Sequence, residues 1–239
     1  TRAGTAWTWA NNNPNVLFRN NDSASGTSGL GAGQQETDDY GRLTWKLEAA
    51  AYLFEATGTQ TYKTFFEGNY TQAHLIAWSY AYPFEPAPQD ALLYYASLSG
   101  VTASVATNIK TAYRNAMNSA DNFGAHTGNS DPYFAYLKDY TWGSNAVKSH
   151  QGLMFEAFLT YGLDASLNAA AHTAAQRYVN YLHGVNPLGL VYLSNMGGSG
   201  AANSVNEFYH SWFTHGSALW DRVGVSTYGP PPGFLTGGP

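Results

Sequence analysis

The stretch DYGRLTWKLEAAAYLFEATG, residues 39–58, decides the fold class. Leu43, Leu47, Ala50, Ala51 and Phe54 recur at three- and four-residue intervals, which puts them on one face of an α-helix. Gly58 stands where a left-handed C-terminal cap belongs, because a residue without Cβ adopts that conformation without a clash. Trp45 and Leu53 widen the stripe and predict burial on more than one side.

Working outward, the same spacing returns on both sides. A short helix from Arg2 to about Asn12 closes at Asn11-Asn12-Asn13-Pro14, a polar run ended by proline. Residues 19–37 carry Asn, Ser, Gly and Gln with almost nothing apolar, so they read as a long surface loop. Helices are predicted over 60–67 and 69–78, before Pro83, Pro86 and Pro88. Ala91, Leu92, Tyr95 and Leu98 form the next stripe, closed by Gly100. Thr102 is placed to cap the helix that carries Val105, Ile109, Ala112 and Ala116. After a loop over 122–140 come helices at about 146–161 and 166–183, the second ended by Gly184 and Pro187. Only Leu188 to Ser194 resembles a strand. The chain is therefore read as all-α, with helices in pairs. It shows no heptad repeat, linker or break in composition, so 1–239 is read as one domain. It opens inside a helical stripe and closes in a loop, so it is expected to be an internal portion of something longer.

Composition narrows the partner. Charged residues are 11% of the 239, aromatic residues 15%, and the net charge is −5. No positive field is available to hold phosphates, which excludes nucleic acid as a natural partner. No apolar run reaches the length of a membrane helix. With no cysteine there is neither a disulfide framework nor a thiolate metal site. Low charge with much Asn, Thr, Ser, Gly and Tyr suits a neutral polar ligand.

The long segment after Tyr181 concentrates His, Tyr, Trp, Phe, Pro and Gly, and loops of that length are usually functional. Aromatic faces next to amides are the surface a sugar needs: C–H groups stack on the ring while hydroxyls find donors and acceptors. Tyr209, Trp212 and Phe213 are candidates for such stacking, as is Trp142, held with Asn145 in a Trp-Gly-Ser-Asn turn at a helix start. His210 among its aromatic neighbours could bond a sugar hydroxyl, or simply a backbone carbonyl. Gln35, Glu36, Asp38 and Asp39 are the densest polar cluster. Thr37 or Asp38 can cap the helix that starts at Asp39, and oxygen-rich loops also bind Ca2+; one use does not exclude the other. Glu156 sits in an apolar helix with no base to pair it, so it is expected to face outward. The histidines show no zinc spacing. Gly197-Gly198-Ser199-Gly200 lacks the lysine of a phosphate loop, and no nucleophile elbow occurs.

Seven stretches in order resemble glycoside hydrolase family 9, the cellulase-type endoglucanases: AWTWANNNPNV (6–16), SGLGAGQQETDD (28–39), LEAAAYLFEATG (47–58), DYTWGSNAVKSHQG (139–152), GVNPLGLVYLSNM (184–196), YHSWF (209–213) and GPPPGFLTGGP (229–239). The resemblance implies an (α/α)6 barrel of helical hairpins, incomplete here at both ends. It implies hydrolysis of internal β-1,4-glucosidic bonds with inversion, in a secreted, monomeric enzyme whose partner is a β-glucan polysaccharide or oligosaccharide. It implies no required cofactor, with structural calcium as an option in the loop holding Glu36, Asp38 and Asp39. In the family the base is an Asp of a DAGD-type motif and the acid a Glu beyond the Gly-Gly-Pro loop; 1–239 contains neither motif. His210 matches a catalytic-loop histidine that many members follow, two positions on, with Arg; here that position is Trp212. The departure leaves open xyloglucan, mixed-linkage glucan or chitosan oligomers as substrates, and a non-catalytic β-glucan-binding protein.

Overall fold

The computed structural model describes residues 2–14, 16, 23, 37–128, 131–207 and 216–238. Glu36, Tyr209, His210, Trp212 and Phe213 lie outside them.

The deciding helix runs from Asp39 to Thr57 (α2), and its ends show the chemistry expected of them. Asp38 is the N-cap, its carboxylate accepting from the Gly41 N–H at 2.8 Å. Gly58 takes φ 65° and donates its N–H to Phe54 O at 2.8 Å, closing the helix in the left-handed conformation. Leu47, Ala50, Ala51, Leu53 and Phe54 are buried. Trp45 is not: it is 62% exposed, so the predicted second buried side includes Leu53 but stops short of Trp45. Ala49 and Tyr52, one and two turns further on, are exposed on the same flank of the helix.

The other helices follow in chain order: α1 (Arg2–Asn12), α3 (Gln60–Asn69), α4 (His74–Ala77), α5 (Pro86–Ser97), α6 (Ala103–Met117), α7 (Phe123–Thr127), α8 (Ser144–Thr160) and α9 (Asn168–Leu182). The single helix expected over 69–78 is broken by a 3-10 turn at Tyr70–Gln72 and by extended backbone at Ala73. The loop expected over 122–140 contains α7. The strand-like run becomes β1 (Val191–Ser194), which pairs in parallel with β2 (Ser204–Val205). The protein is all-α in class, as the spacing requires.

The residues fall into two compact units. The first draws on the segments up to Trp78 and from Asp90 to Ile109. Its core stacks Phe66 on Tyr95, ring centroids 3.6 Å apart, and buries Leu47, Phe54 and Leu92. Glu67 ties three elements together. Its carboxylate accepts from the Thr102 N–H at 2.9 Å, the Thr102 hydroxyl at 2.8 Å and the Tyr95 hydroxyl at 3.0 Å, with Lys63 at 3.8 Å.

The second unit draws on Ser79–Gln89 and the chain from Lys110 onward. Here α8 and α9 form a hairpin, joined by a 3-10 turn that Asp164 caps through Ser166. The two helices approach so closely that a Cβ on Gly152 would stand 2.9 Å from Tyr178 Cβ. Phe123 meets Phe155 and Phe158 edge-on, each at 5.1 Å between centroids, an arrangement that suits the ring quadrupoles. This hairpin is the platform on which the candidate site stands.

Candidate functional site

The site is built at the N-terminus of α8. Gly143 precedes the helix with φ 81°, a conformation that L side chains rarely adopt, and its carbonyl accepts the first helical bond from Ala146 at 2.9 Å. That turn throws the preceding residue outward. Trp142 is 88% exposed, the most solvent-open large apolar side chain among the described residues.

Asn145, two residues into the helix motif, does the opposite: it is fully buried at 0% exposure. Its Nδ2 donates to Thr236 O at 3.2 Å, and its N–H donates to Gly237 O at 3.2 Å. Its Oδ1 is buried with no hydrogen-bond partner. Thus Trp142 and Asn145 are neighbours, yet one presents a surface and the other latches the Thr236–Gly238 segment over the helix start. Gly238 fits only because it lacks a side chain: a Cβ there would lie 2.6 Å from Ser144 Oγ and 2.7 Å from Asn145 Cγ, at φ 92°.

The latched segment runs along β1. Thr236 N–H donates to Tyr192 O at 2.9 Å, Ser194 N–H to Phe234 O at 2.9 Å, and Gly233 N–H to Ser194 O at 2.8 Å. The Ser194 hydroxyl donates to Pro231 O, and Asn195 Nδ2 to Pro230 O at 2.8 Å. The Pro-rich stretch is therefore tied down residue by residue. Phe234 remains exposed on it, as does Tyr228 just before it.

The same helix carries a group the sequence reading passed over. Lys148, on the second turn of α8, is 0% exposed. Its ammonium donates to Ala135 O, lies 3.9 Å from Asp131 Oδ2, and sits 4.0 Å from the Tyr181 ring centroid and 4.9 Å from that of Tyr140. Burial pushes its pKa down to about 8, partly offset by Asp131. Burial likewise pushes the Tyr181 phenol up, helped by Tyr140. A lysine in a helix normally reads as a solvated face; only the fold brings Tyr140, Asp131 and Tyr181 around this one.

The carboxylates of this unit are mostly committed. Asp131 Oδ1 accepts from the Tyr133 N–H at 2.7 Å. Asp121 accepts from the Tyr80 hydroxyl at 3.1 Å and pairs with Lys138 at 3.1 Å. Glu85 accepts from Tyr82 at 2.9 Å, and Glu207 pairs with Arg222. Glu156 faces solvent, as its helix position implied. In the first unit, Asp38 is used as the α2 cap and Asp39 pairs with Arg42. Among the described residues no three His, Asp or Glu side chains gather as a metal site, and the calcium expectation rests also on Glu36, outside them.

The model of glycosyl hydrolase family 9 matches residues 1–239, and the chain belongs to that family. It is thus a member of a family of glycoside hydrolases that act on β-glucans. No curated protein and no solved structure is similar enough to count as a match. No helix among the described residues is long and apolar enough to cross a membrane.

Proposed function

We propose that this chain is the central part of the catalytic domain of an endo-β-1,4-glucanase that cleaves cellulose or a related β-glucan with inversion. Family membership supports glycoside hydrolysis, and the observation that carries the narrower reading is Trp142, an indole held open by the Gly143 turn. Its face suits the C–H side of a glucosyl unit. His210, Tyr209, Trp212 and Phe213 are proposed to border the same chain of sugars, with His210 at the cleavage point, and Asn145 to hold the loop that frames it. Inversion requires a carboxylate that deprotonates water on one face of the ring and a carboxylic acid that protonates the leaving oxygen on the other, about 6.5–9.5 Å apart. We assign both to an Asp and a Glu outside residues 1–239. The commitment of Asp131, Asp121, Glu85 and Glu207 to other partners supports that assignment. A polymeric substrate places the enzyme outside the cell.

The same commitment supports a second reading, a β-glucan-binding protein without turnover. The full-length protein, incubated with carboxymethyl-cellulose, xyloglucan, mixed-linkage glucan and chitosan oligomers, separates the two. Reducing ends should appear with cellulosic substrates, and the first product should carry the α-anomeric configuration by proton NMR. Binding without release would establish the second reading, and a β-anomeric first product would exclude inversion.

A further inference from the structure

The segment from Asp131 to Trp142 has little regular structure, yet it must present an indole in one orientation. Several bonds hold its middle. The Tyr178 hydroxyl donates to Tyr136 O at 2.7 Å, the Arg177 guanidinium lies 4.2 Å from the Phe134 ring centroid, and Leu137 is buried. Lys148 differs from these in reach. It meets the start of the segment at Asp131, its middle at Ala135 O, and its end at the Tyr140 ring, two residues before Trp142. The same side chain stems from the helix whose first turn fixes Gly143.

We infer that Lys148 is a positioning residue for glucan binding: its buried ammonium clamps the 131–140 segment at three points and so sets the orientation of the Trp142 platform. This rests on the reading of Trp142 as a sugar-stacking face. The physical oddity of Lys148 supports a role beyond folding. Burying an ammonium is costly, and Ala135 O, Asp131 and the two rings offset that cost only while they stand around it. A charge that gathers a carbonyl, a carboxylate and two aromatic faces fixes a direction, which an apolar side chain of similar length would not.

The test uses the full-length protein and three substitutions, with thio-linked cellohexaose, which the enzyme cannot hydrolyse, as the probe. Lys148→Met keeps the length and removes the charge. Its thermal midpoint should fall, because Ala135 O loses its donor and Asp131 its counter-charge, while amide hydrogen exchange accelerates more over residues 135–142 than over α9 and cellohexaose affinity by calorimetry drops roughly tenfold. Tyr140→Leu acts on a side chain 55% exposed, which does not endanger folding, and should give the same changes in exchange and affinity in smaller measure. Trp142→Ala should abolish most of the affinity without changing exchange in 135–140. Unchanged exchange in Lys148→Met overturns the inference, as does faster exchange with unchanged affinity. If Trp142→Ala binds cellohexaose as tightly as the parent, the platform reading has failed and the inference falls with it. Loss of affinity in Trp142→Ala alone leaves the platform standing and removes only the clamp.

Discussion

His126 shows how one side chain turns packing into pH dependence. Its Nε2 lies 3.3 Å from the Tyr178 hydroxyl, and that hydroxyl already donates to Tyr136 O. Nε2 must then carry the proton, and Nδ1 is left as a buried acceptor without a partner. Burial pushes the imidazole down to about 4, and the nearby Arg177 adds to the effect, against a smaller opposite pull from Asp131. In the unfolded chain the same group titrates near 6.5. Between those values the unfolded state binds a proton that the folded state refuses. The contribution is thus complete above about 6.5 and is lost as the pH falls toward 4, up to about 3 kcal/mol in all. Urea midpoints at pH 7 and 4.5 should separate strongly in the parent and less in His126→Gln. Equal slopes in the two proteins would show that another group carries the loss. None of this was visible in the sequence, where His126 had no informative neighbour: Tyr178 stands 52 positions away. Trp45 misled for a related reason, since the spacing of apolar residues reports which face is apolar but not how far the neighbours extend over it.

The elements were more legible than the residues because helical periodicity is a local property. The bounds of α2, and the roles of Asp38 and Gly58 at its ends, follow from side chains within four residues of each terminus. The strand-like run became β1, which also matched, though its partners come from Ser204–Val205 and from the Pro-rich segment. What was missed at this scale depended on distant bonds. Thr102 stands directly before α6, its carbonyl accepting from the Val105 and Ala106 N–H groups, and its hydroxyl also donates to Glu67, 35 positions earlier. Burial raises the Glu67 pKa, but the bonds from Thr102 and Tyr95 and the charge of Lys63 outweigh it, so the carboxyl is held below its usual value. Glu67 therefore joins α3 to the last turn of α5 and the start of α6. Glu67→Ala leaves the fully buried Tyr95 hydroxyl and the Thr102 N–H without their acceptor, and should cost about 2–3 kcal/mol. Glu67→Gln, whose carbonyl oxygen can still accept from both the Tyr95 hydroxyl and the Thr102 N–H, should lose less. Chemical denaturation of both variants checks the order, and an alanine variant as stable as the parent would show that water replaces the carboxylate freely.

At the scale of the whole molecule, seven short motifs in family order carried more than any single stretch, and the match over 1–239 agrees with them. Two of them contain the halves of the latch, but the sequence did not reveal it: Asn145 and Thr236 are 91 positions apart, and no periodicity connects them. The motifs also say what chemistry the chain should be able to perform alone. Glycoside hydrolysis needs an acid and a base acting on opposite sides of one bond, and removing either typically costs a factor of about 100 to 10,000 in rate. Asp121 holds a tyrosine and a lysine, Asp131 holds a backbone N–H beside the buried Lys148, and Glu207 holds Arg222. Each is already bonded to a neighbour, whereas the acid of an inverting pair must be free to present its proton to the leaving oxygen. Purified 1–239 polypeptide should therefore release no reducing sugar from carboxymethyl-cellulose above the blank, while the full-length protein turns it over. If the short chain is active, Asp121→Asn and Asp131→Asn become the decisive variants. Loss of turnover in either would move the catalytic pair inside this segment and overturn its assignment elsewhere.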